Sequence, residues 1–182
     1  MGAAASHLPL PASAESQSAC LEFIVERLRN LLLDSGGRYD IVDAVLAAQG
    51  GDPARAARAV AALSRWVARP DWSAILPAYA RCVRITRGLE NVYPVNPVAF
   101  VEPAEADLHA ALLAAEAASR APGSPDDFLN AFLPMIPSVN RFFDQVLVMA
   151  EDETLQHNRL GLLQRIAALA SGVADLSRLE GF

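Results

Sequence analysis

Apolar residues recur three or four positions apart along most of this chain, and prolines or glycine pairs separate the segments that show the pattern. This spacing places apolar side chains on one face of an α-helix. The clearest case lies near the C-terminus and comprises Leu160, Leu163, Ile166, Ala170 and Val173. No convincing strand and no internal repeat is found. The sequence therefore predicts an all-α fold, a bundle of about seven to eight helices.

Capping residues and helix breakers predict where the helices begin and end. The expected N-caps, in chain order, are Ser18, Asp40, Asp52, Asp71, Ser124 and Asp152. Helices are expected at about 19–34, 53–68, 103–120 and 138–149, with Phe143 and Leu147 in the core of the last of these. Residues 1–19 are small, contain proline and serine, and are expected to be disordered or a linker. Residues 20–182 are then expected to form one helical domain.

The charge of the chain is unevenly distributed. The 182 residues carry a formal charge of −6, but residues 54–90 hold seven arginines against two acidic residues, giving +5. The remainder of the chain therefore carries −11. A basic segment on an acidic protein is typical of a local site for phosphate-bearing partners, and a solvated arginine face is the alternative.

The types of polar residue present exclude several kinds of site. All 15 basic residues are arginine, so neither a phosphate-binding loop with its lysine nor a Schiff-base lysine can be built. Cys20 and Cys82 stand far apart, and the three histidines are scattered, which predicts free thiols in a reducing compartment and no zinc site. Glu151, Asp152 and Glu153 are expected to cap a helix rather than to hold a metal. No apolar run approaches the roughly 20 residues that would span a bilayer.

The C-terminal third carries motifs that resemble a known family. Residues 142–149 have the sequence FFDQVLVM, an acidic cluster follows, and NRLGLL and VADLSRL stand at 158–163 and 173–179. This ending resembles the bacterial glycyl-tRNA synthetase beta subunit, in which it closes a helical anticodon-binding domain of the DALR type. The resemblance extends over roughly residues 21–179. Near the N-terminus it rests on Phe23, Arg27, Asp40, Ala44, Val45 and Leu46.

One segment departs from the family pattern. Residues 79–85 correspond to a stretch that usually contains K-R-V-x-N-I. Arg81 and Val83 keep their positions in it, whereas Cys82 replaces a basic residue and Ile85 replaces asparagine. Gln156 also stands where an arginine is common. The replacements at Cys82 and Ile85 argue against residues 79–85 keeping all of the family's contacts with tRNA.

The resemblance implies a role in an enzyme of α2β2 composition. In that enzyme the alpha subunit uses ATP, Mg²⁺ and glycine, whereas the longer beta subunit grips the tRNA. The chain would then be only the tail of a beta subunit, either a fragment or a separately encoded piece. It is expected to have no catalytic residues and no cofactor of its own. Its partners would be glycine tRNA, the alpha subunit and the rest of the beta subunit, in the cytoplasm and away from membranes.

An anticodon reader must stack unpaired bases on flat side chains while arginines hold the backbone. Glycine anticodons all offer two cytosines, whose O2 and N3 atoms can accept hydrogen bonds from arginine. The candidate RNA-contacting residues are Arg81, Arg84, Arg87, Asn91 and Tyr93, with Arg58 and Arg65 as backbone contacts. Asn158 and Arg159 are expected instead to join a structural network at a helix start, with Asp152 or Asp144.

Two other functions fit the same pattern. One is a helical protein-interaction module that docks on synthetase subunits without binding RNA. The other is the anticodon domain of an arginyl-type synthetase, which shares the helical plan. The FFDQVLVM and NRLGLL segments favour the glycine enzyme.

Overall fold

The computed structural model describes residues 13–182, and these residues form α-helices joined by turns, with no strand. The helices are α1 (Ala14–Asp34), α2 (Tyr39–Gln49), α3 (Pro53–Val67), α4 (Trp72–Thr86), α5 (Pro103–Ala117), α6 (Pro125–Phe132), α7 (Ile136–Gln145) and α8 (Glu153–Ala168). Short 3₁₀ turns occupy Pro97–Ala99, Leu133–Met135 and Leu176–Arg178. The all-α prediction is confirmed. In the described part of the chain, no helix has the length and apolar character needed to cross a membrane.

Three predicted N-caps are confirmed by their hydrogen bonds, and two of them share a pattern. Asp52 accepts a bond from the Arg55 backbone N–H at 3.0 Å, and Ser124 accepts one from the Asp127 N–H at 3.2 Å. In each case a proline follows the cap, where its missing N–H costs nothing. These caps fix the starts of α3 and α6.

Asp152, the third, caps α8 by accepting hydrogen bonds from the backbone N–H groups of Thr154 at 2.8 Å and Leu155 at 3.1 Å. Asp152→Ala should therefore lower the free energy of unfolding by about 1 kcal/mol. Urea denaturation of the full chain measures this change. Glu151→Ala removes an exposed neighbour that caps nothing and should change stability by less than about 0.5 kcal/mol. Equal losses in the two variants would rule out capping as the cause.

The core is continuous through the bundle. Helix α4 lies against α8, α5 packs on α7, and α2 packs on both α1 and α3. Tyr79 of α4 meets Phe128 and Phe132 edge-on, with ring centroids 5.7 and 5.6 Å apart. Its hydroxyl donates a 2.7 Å hydrogen bond to the Ala167 carbonyl of α8, so the ring is packed in the core and the polar hydroxyl still has a hydrogen-bond partner.

Two predictions near the N-terminus are wrong in detail. Helix α1 begins at Ala14, with Ser13 rather than Ser18 accepting the cap bond from the Ser16 N–H, because serine caps equally well at either place. The remainder of the expected linker, residues 1–12, lies outside the described residues. Asp40 is not a cap either, since α2 begins at Tyr39. Its buried carboxylate binds the Arg38 guanidinium and the backbone N–H groups of Ile41 and Glu180.

Helices α4 and α5 also differ from expectation at their ends. Asp71 stands at the N-cap of α4 but makes no cap bond, because its carboxylate pairs with Arg69 at 2.7 Å. Pro77 lies inside α4 on its exposed side, and Arg87 is the C-cap rather than part of the helix. Helix α5 ends at Ala117, three residues before the predicted end at Arg120.

Helix α7 begins earlier and ends earlier than predicted. Pro137 lies in its first turn, where a proline fits, and the helix stops at Gln145. Beyond it the chain is not helical: Val146 and Val148 are buried, whereas Leu147 is 70% exposed. The prediction that Leu147 lies in the core is therefore wrong, because inward positions alternate here with period two rather than following a helix.

Candidate nucleic-acid interface

The C-terminal end of α4 presents two exposed arginines. Arg84 and Arg87 lie over the ring of Phe182, with their guanidinium carbons 5.5 and 5.7 Å from its centroid, within cation–π range. Among the described residues neither arginine has a carboxylate within 4.0 Å. The pair therefore keeps its charge and its donors available. We call Arg84, Arg87 and Phe182 the α4-end patch.

Arg81, one turn earlier on α4, makes contacts with two side chains of α7. Its guanidinium lies 4.3 Å from the centroid of the Phe143 ring, and its Nη2 is 4.0 Å from Asp144 Oδ1. Both partners belong to α7, so Arg81 already contributes to the packing of α4 on that helix. Phe143 is only partly buried, as suits a ring that supports a surface arginine.

The segment that follows α4 is held on α8 by side-chain amides. Gln164 accepts the Tyr93 backbone N–H at 3.0 Å and donates to the Asn91 carbonyl at 2.7 Å. Asn158 pairs in the same two-way manner with the backbone of Asn96, at 2.7 and 3.1 Å. Residues 91–96, which we call the pinned loop, thus gain the backbone partners that a helix or sheet would otherwise supply.

Between these two amides α8 carries Gly161. A Cβ atom at this position would lie 2.5 Å from the Tyr93 carbonyl oxygen, closer than any real contact allows. Positions 158, 161 and 164 are three apart and share one face of α8. The glycine therefore lets the pinned loop approach the helix closely enough for both amides to reach it.

The candidates on the pinned loop differ in accessibility. Asn91 is exposed, and its carbonyl is the group used by Gln164. Tyr93 is half-buried, and its ring stacks on His157 of α8 at a centroid distance of 4.2 Å and an interplanar angle of 9°. One face of the tyrosine is therefore already covered. No sequence pattern indicated this role for His157, because 64 residues separate the two rings.

Asn158 and Arg159 have structural partners, but not the predicted ones. Arg159 is buried, its Nε donates to Glu105 Oε1 at 2.9 Å, and its Nη1 donates to the Leu147 carbonyl at 2.9 Å. The second Glu105 oxygen accepts the backbone N–H groups of Glu102 and Val101. The expected network with Asp152 or Asp144 is wrong, because Arg159 binds α5 and the chain after α7, whereas Asn158 binds the pinned loop.

The two remaining candidates lie elsewhere, on α3. Arg58 and Arg65 line a cleft of about 510 Å³ between α3 and residues 121–126. Arg65 donates to Asp126 at 3.0 Å, whereas Arg58 is exposed and has no ion-pair partner in the described part of the chain. Within residues 13–182, no hydrogen bond, ion pair or ring contact joins this cleft to the α4-end patch. The candidates therefore form two separate groups.

The two cysteines of the described residues differ in exposure, since Cys20 is exposed and Cys82 is buried. Cys82 is fully buried, and burial raises the pKa of its thiol to about 12, which leaves it inert as a nucleophile. Over residues 13–182 no three histidine, cysteine, aspartate or glutamate side chains are placed to share a metal ion. The end of α4 offers a cationic and aromatic surface, which suits the binding of an anionic partner.

A family model and several relatives match the chain. A model described as the DALR anticodon binding domain matches residues 75–176, from α4 to the last 3₁₀ turn. The glycine--tRNA ligase beta subunit of Moorella thermoacetica is 36% identical over 166 residues, covering 90% of this chain and 24% of the relative. The beta subunit of Anaeromyxobacter dehalogenans is 41% identical over 146 residues, covering 78% and 21%.

A plant protein is similar over nearly the whole chain. Glycine--tRNA ligase, chloroplastic/mitochondrial 2, of Arabidopsis thaliana is 33% identical over 181 residues, covering 98% of this chain and 17% of the relative. The chain thus spans about a quarter or less of the length of these relatives. The family match covers more than half of the chain and includes the α4-end patch apart from Phe182. By that match, and on the all-α fold described above, the chain belongs to the DALR anticodon-binding domain family.

Proposed function

We propose that this chain is the tRNA-binding part of a glycine--tRNA ligase beta subunit and that it contacts the anticodon of glycine tRNA. The observation that carries the proposal is the position of Arg84 and Arg87, two exposed and unpaired cations within the matched range 75–176. The relatives' names favour the glycine enzyme over an arginyl-type synthetase.

The chemistry of the α4-end patch suits an unpaired, phosphate-bearing strand. Guanidinium groups bind phosphates through paired N–H donors, and their planes also stack on exposed bases. Phe182 adds an aromatic ring directly beneath both arginines. Asn91 lies nearby in sequence with an exposed side chain and can pair with a base edge. Arg81 and Tyr93 then act mainly as supports, because the Arg81 guanidinium lies on Phe143 and His157 covers one face of the Tyr93 ring.

The chain would work as one part of a larger assembly. We infer that its partners are glycine tRNA, the rest of the beta subunit and the alpha subunit of an α2β2 enzyme in the cytoplasm. ATP and Mg²⁺ would be used through the alpha subunit, and we assign no site for either to this chain. The contribution of these residues to aminoacylation is to hold the tRNA, not to form the ester bond.

Arg84→Ala and Arg87→Ala should each weaken the binding of glycine tRNA and make it less sensitive to salt. Removing one arginine–phosphate pair should reduce the slope of log K against log salt by about 0.7 to 0.9. Fluorescence anisotropy of the full chain with labelled glycine tRNA, at several salt concentrations, measures both quantities. A tRNA whose two anticodon cytosines are changed tests whether the binding depends on the anticodon.

Arg141→Ala is the matched control, because this exposed arginine is paired with Asp107 on α5 and lies in neither group of candidates. It should leave the affinity and the salt slope unchanged. If all three variants bind alike, Arg84 and Arg87 are not in the interface. If the folded wild-type chain binds neither tRNA, the protein-interaction module becomes the better explanation.

A further inference from the structure

The cleft between α3 and residues 121–126 has a composition unlike that of the α4-end patch. Its volume is about 510 Å³, and alanines of α3 form its floor (Ala59, Ala61 and Ala62). The opposite wall is the Ala121–Ser124 turn, in which Gly123 adopts a positive φ of 74°. Small side chains on both sides leave the space open, while arginines stand along the α3 side.

The charges that line this cleft sum to an excess of positive charge. Arg55, Arg58 and Arg65 line the cleft with one acidic residue, Asp126, and Asp52 lies 3.8 Å from Arg55 beside the lining, so the formal charge of these five residues is +1. Asp126 is itself occupied, since it accepts hydrogen bonds from Arg65 at 3.0 Å and from the Trp66 indole N–H at 2.7 Å. On a protein with a net charge of −6, this local excess is what would attract a polyanion.

Arg58 keeps its donors exposed and unused, whereas the one unpartnered donor of Arg55 is buried. The Arg58 side chain is exposed and makes no hydrogen bond, ion pair or ring contact with any described residue. The Nε–H of Arg55 is buried without a hydrogen-bond partner, and the carboxylate nearest to it, that of Asp52, is 3.8 Å away. Carboxylates satisfy most of the other arginines in residues 13–182 at 3.1 Å or less.

The lining indicates which part of a nucleic acid would fit. No aromatic side chain borders the cleft, so it offers no surface on which a base could stack. Guanidinium groups and an alanine floor suit the sugar-phosphate backbone, which carries regularly spaced charges. Arg58 and Arg65 are seven residues apart on α3, about 10 Å along the helix axis, so they can contact more than one phosphate.

We propose that the α3 cleft binds the phosphate backbone of an RNA segment separate from the one that the α4-end patch contacts. This inference rests on the proposed function, because the same RNA would occupy both surfaces. The cleft would add affinity and fix orientation without reading sequence, as contacts to phosphates do. Residues of α3 lie outside the matched range 75–176, so this contact would extend the RNA surface beyond the family domain.

The test compares Arg58→Gln with Arg141→Gln in the full chain. Arg58 has no partner to lose, so the substitution should leave the melting temperature unchanged. Anisotropy with glycine tRNA and with the cytosine-changed tRNA should show both affinities falling by the same factor, on the order of threefold. The salt slope should fall by about 0.7 to 0.9 for Arg58→Gln and not at all for the control.

The outcomes separate this inference from the proposed function. If the wild type prefers the native anticodon and Arg58→Gln binds like Arg141→Gln, the cleft is not an RNA site, although the proposed function stands. A loss confined to the native anticodon would also overturn the inference, because the cleft would then be reading bases. If the wild type binds neither tRNA, both proposals fall together.

A second measurement distinguishes RNA from an acidic protein. Backbone amide spectra of the full chain would be recorded with a short oligouridylate and, separately, with hexaglutamate at matched charge. We expect oligouridylate to shift the amide signals of Ala59, Gly123 and Ser124 in the wild type and not in Arg58→Gln. Equal or larger shifts with hexaglutamate would identify the cleft as a docking surface for acidic protein segments and overturn the RNA assignment.

Discussion

Phe142→Ala should lower the free energy of unfolding by about 3–5 kcal/mol. The Phe142 side chain of α7 is completely buried and is among the largest in the core, so truncation removes apolar contacts and leaves a cavity. Because domains of this size are stabilised by only about 5–15 kcal/mol in total, the variant should be close to unfolding at physiological temperature. Urea denaturation followed by circular dichroism measures the change.

Phe143→Ala, at the next position, provides the comparison. This ring is only partly buried and serves mainly as a surface for the Arg81 guanidinium, so its loss should cost clearly less. Helix propensity and the chemical change are the same for both variants. A loss in Phe143→Ala as large as that in Phe142→Ala would show that the core extends further toward Arg81 than its burial indicates.

Glu105→Gln should lower the free energy of unfolding by about 3–5 kcal/mol, because it leaves the buried Arg159 guanidinium without its counter-charge. The side chains of Glu105 and Arg159 are 1% and 7% exposed and lie 2.9 Å apart. Glu116→Gln is a closely matched control on the same helix, since Glu116 pairs with Arg165 of α8 but is about one-third exposed. That change should cost less than about 1 kcal/mol. Equal costs would exclude burial as the reason.

The same carboxylate predicts how stability depends on pH. Burial alone would raise the pKa of Glu105, but the Arg159 guanidinium and the N–H groups of Glu102 and Val101 outweigh it and lower that pKa. A lowered pKa stabilises the fold above the unfolded value of about 4.3, and the contribution disappears as the pH falls through the folded value. The difference in stability between wild type and Glu105→Gln should therefore shrink below about pH 4.

Features set by local chemistry could be predicted from the sequence. Asp52, Ser124 and Asp152 each cap the helix that begins at the next residue, and the carboxylate or hydroxyl that does so needs no distant partner. Helical spacing likewise placed Leu160, Leu163 and Ile166 in the core. The same pattern failed at Leu147, because the chain leaves the helix two residues earlier and the inward positions change period.

Features that depend on distant segments could not be predicted. Asp40 holds the backbone of Glu180, 140 residues away, and no nearby residue indicates that use of its carboxylate. The same holds for Tyr93 with His157 and for Arg159 with Glu105. An excess of arginine in residues 54–90 is visible in the sequence, but only the fold shows that some of these arginines line the cleft beside α3 whereas others lie at the end of α4.

The amides that hold residues 91–96 on α8 also determine how this segment can move. An ordinary surface loop opens by breaking a few contacts within itself, independently of its neighbours. Here the backbone of Asn91, Tyr93 and Asn96 is bonded to Gln164 and Asn158, and the absence of a side chain at Gly161 brings the chain directly onto the helix. Opening of this segment therefore requires its hydrogen bonds to α8 to break. Residues 91–96 follow α4 in the chain, but they are expected to move together with α8.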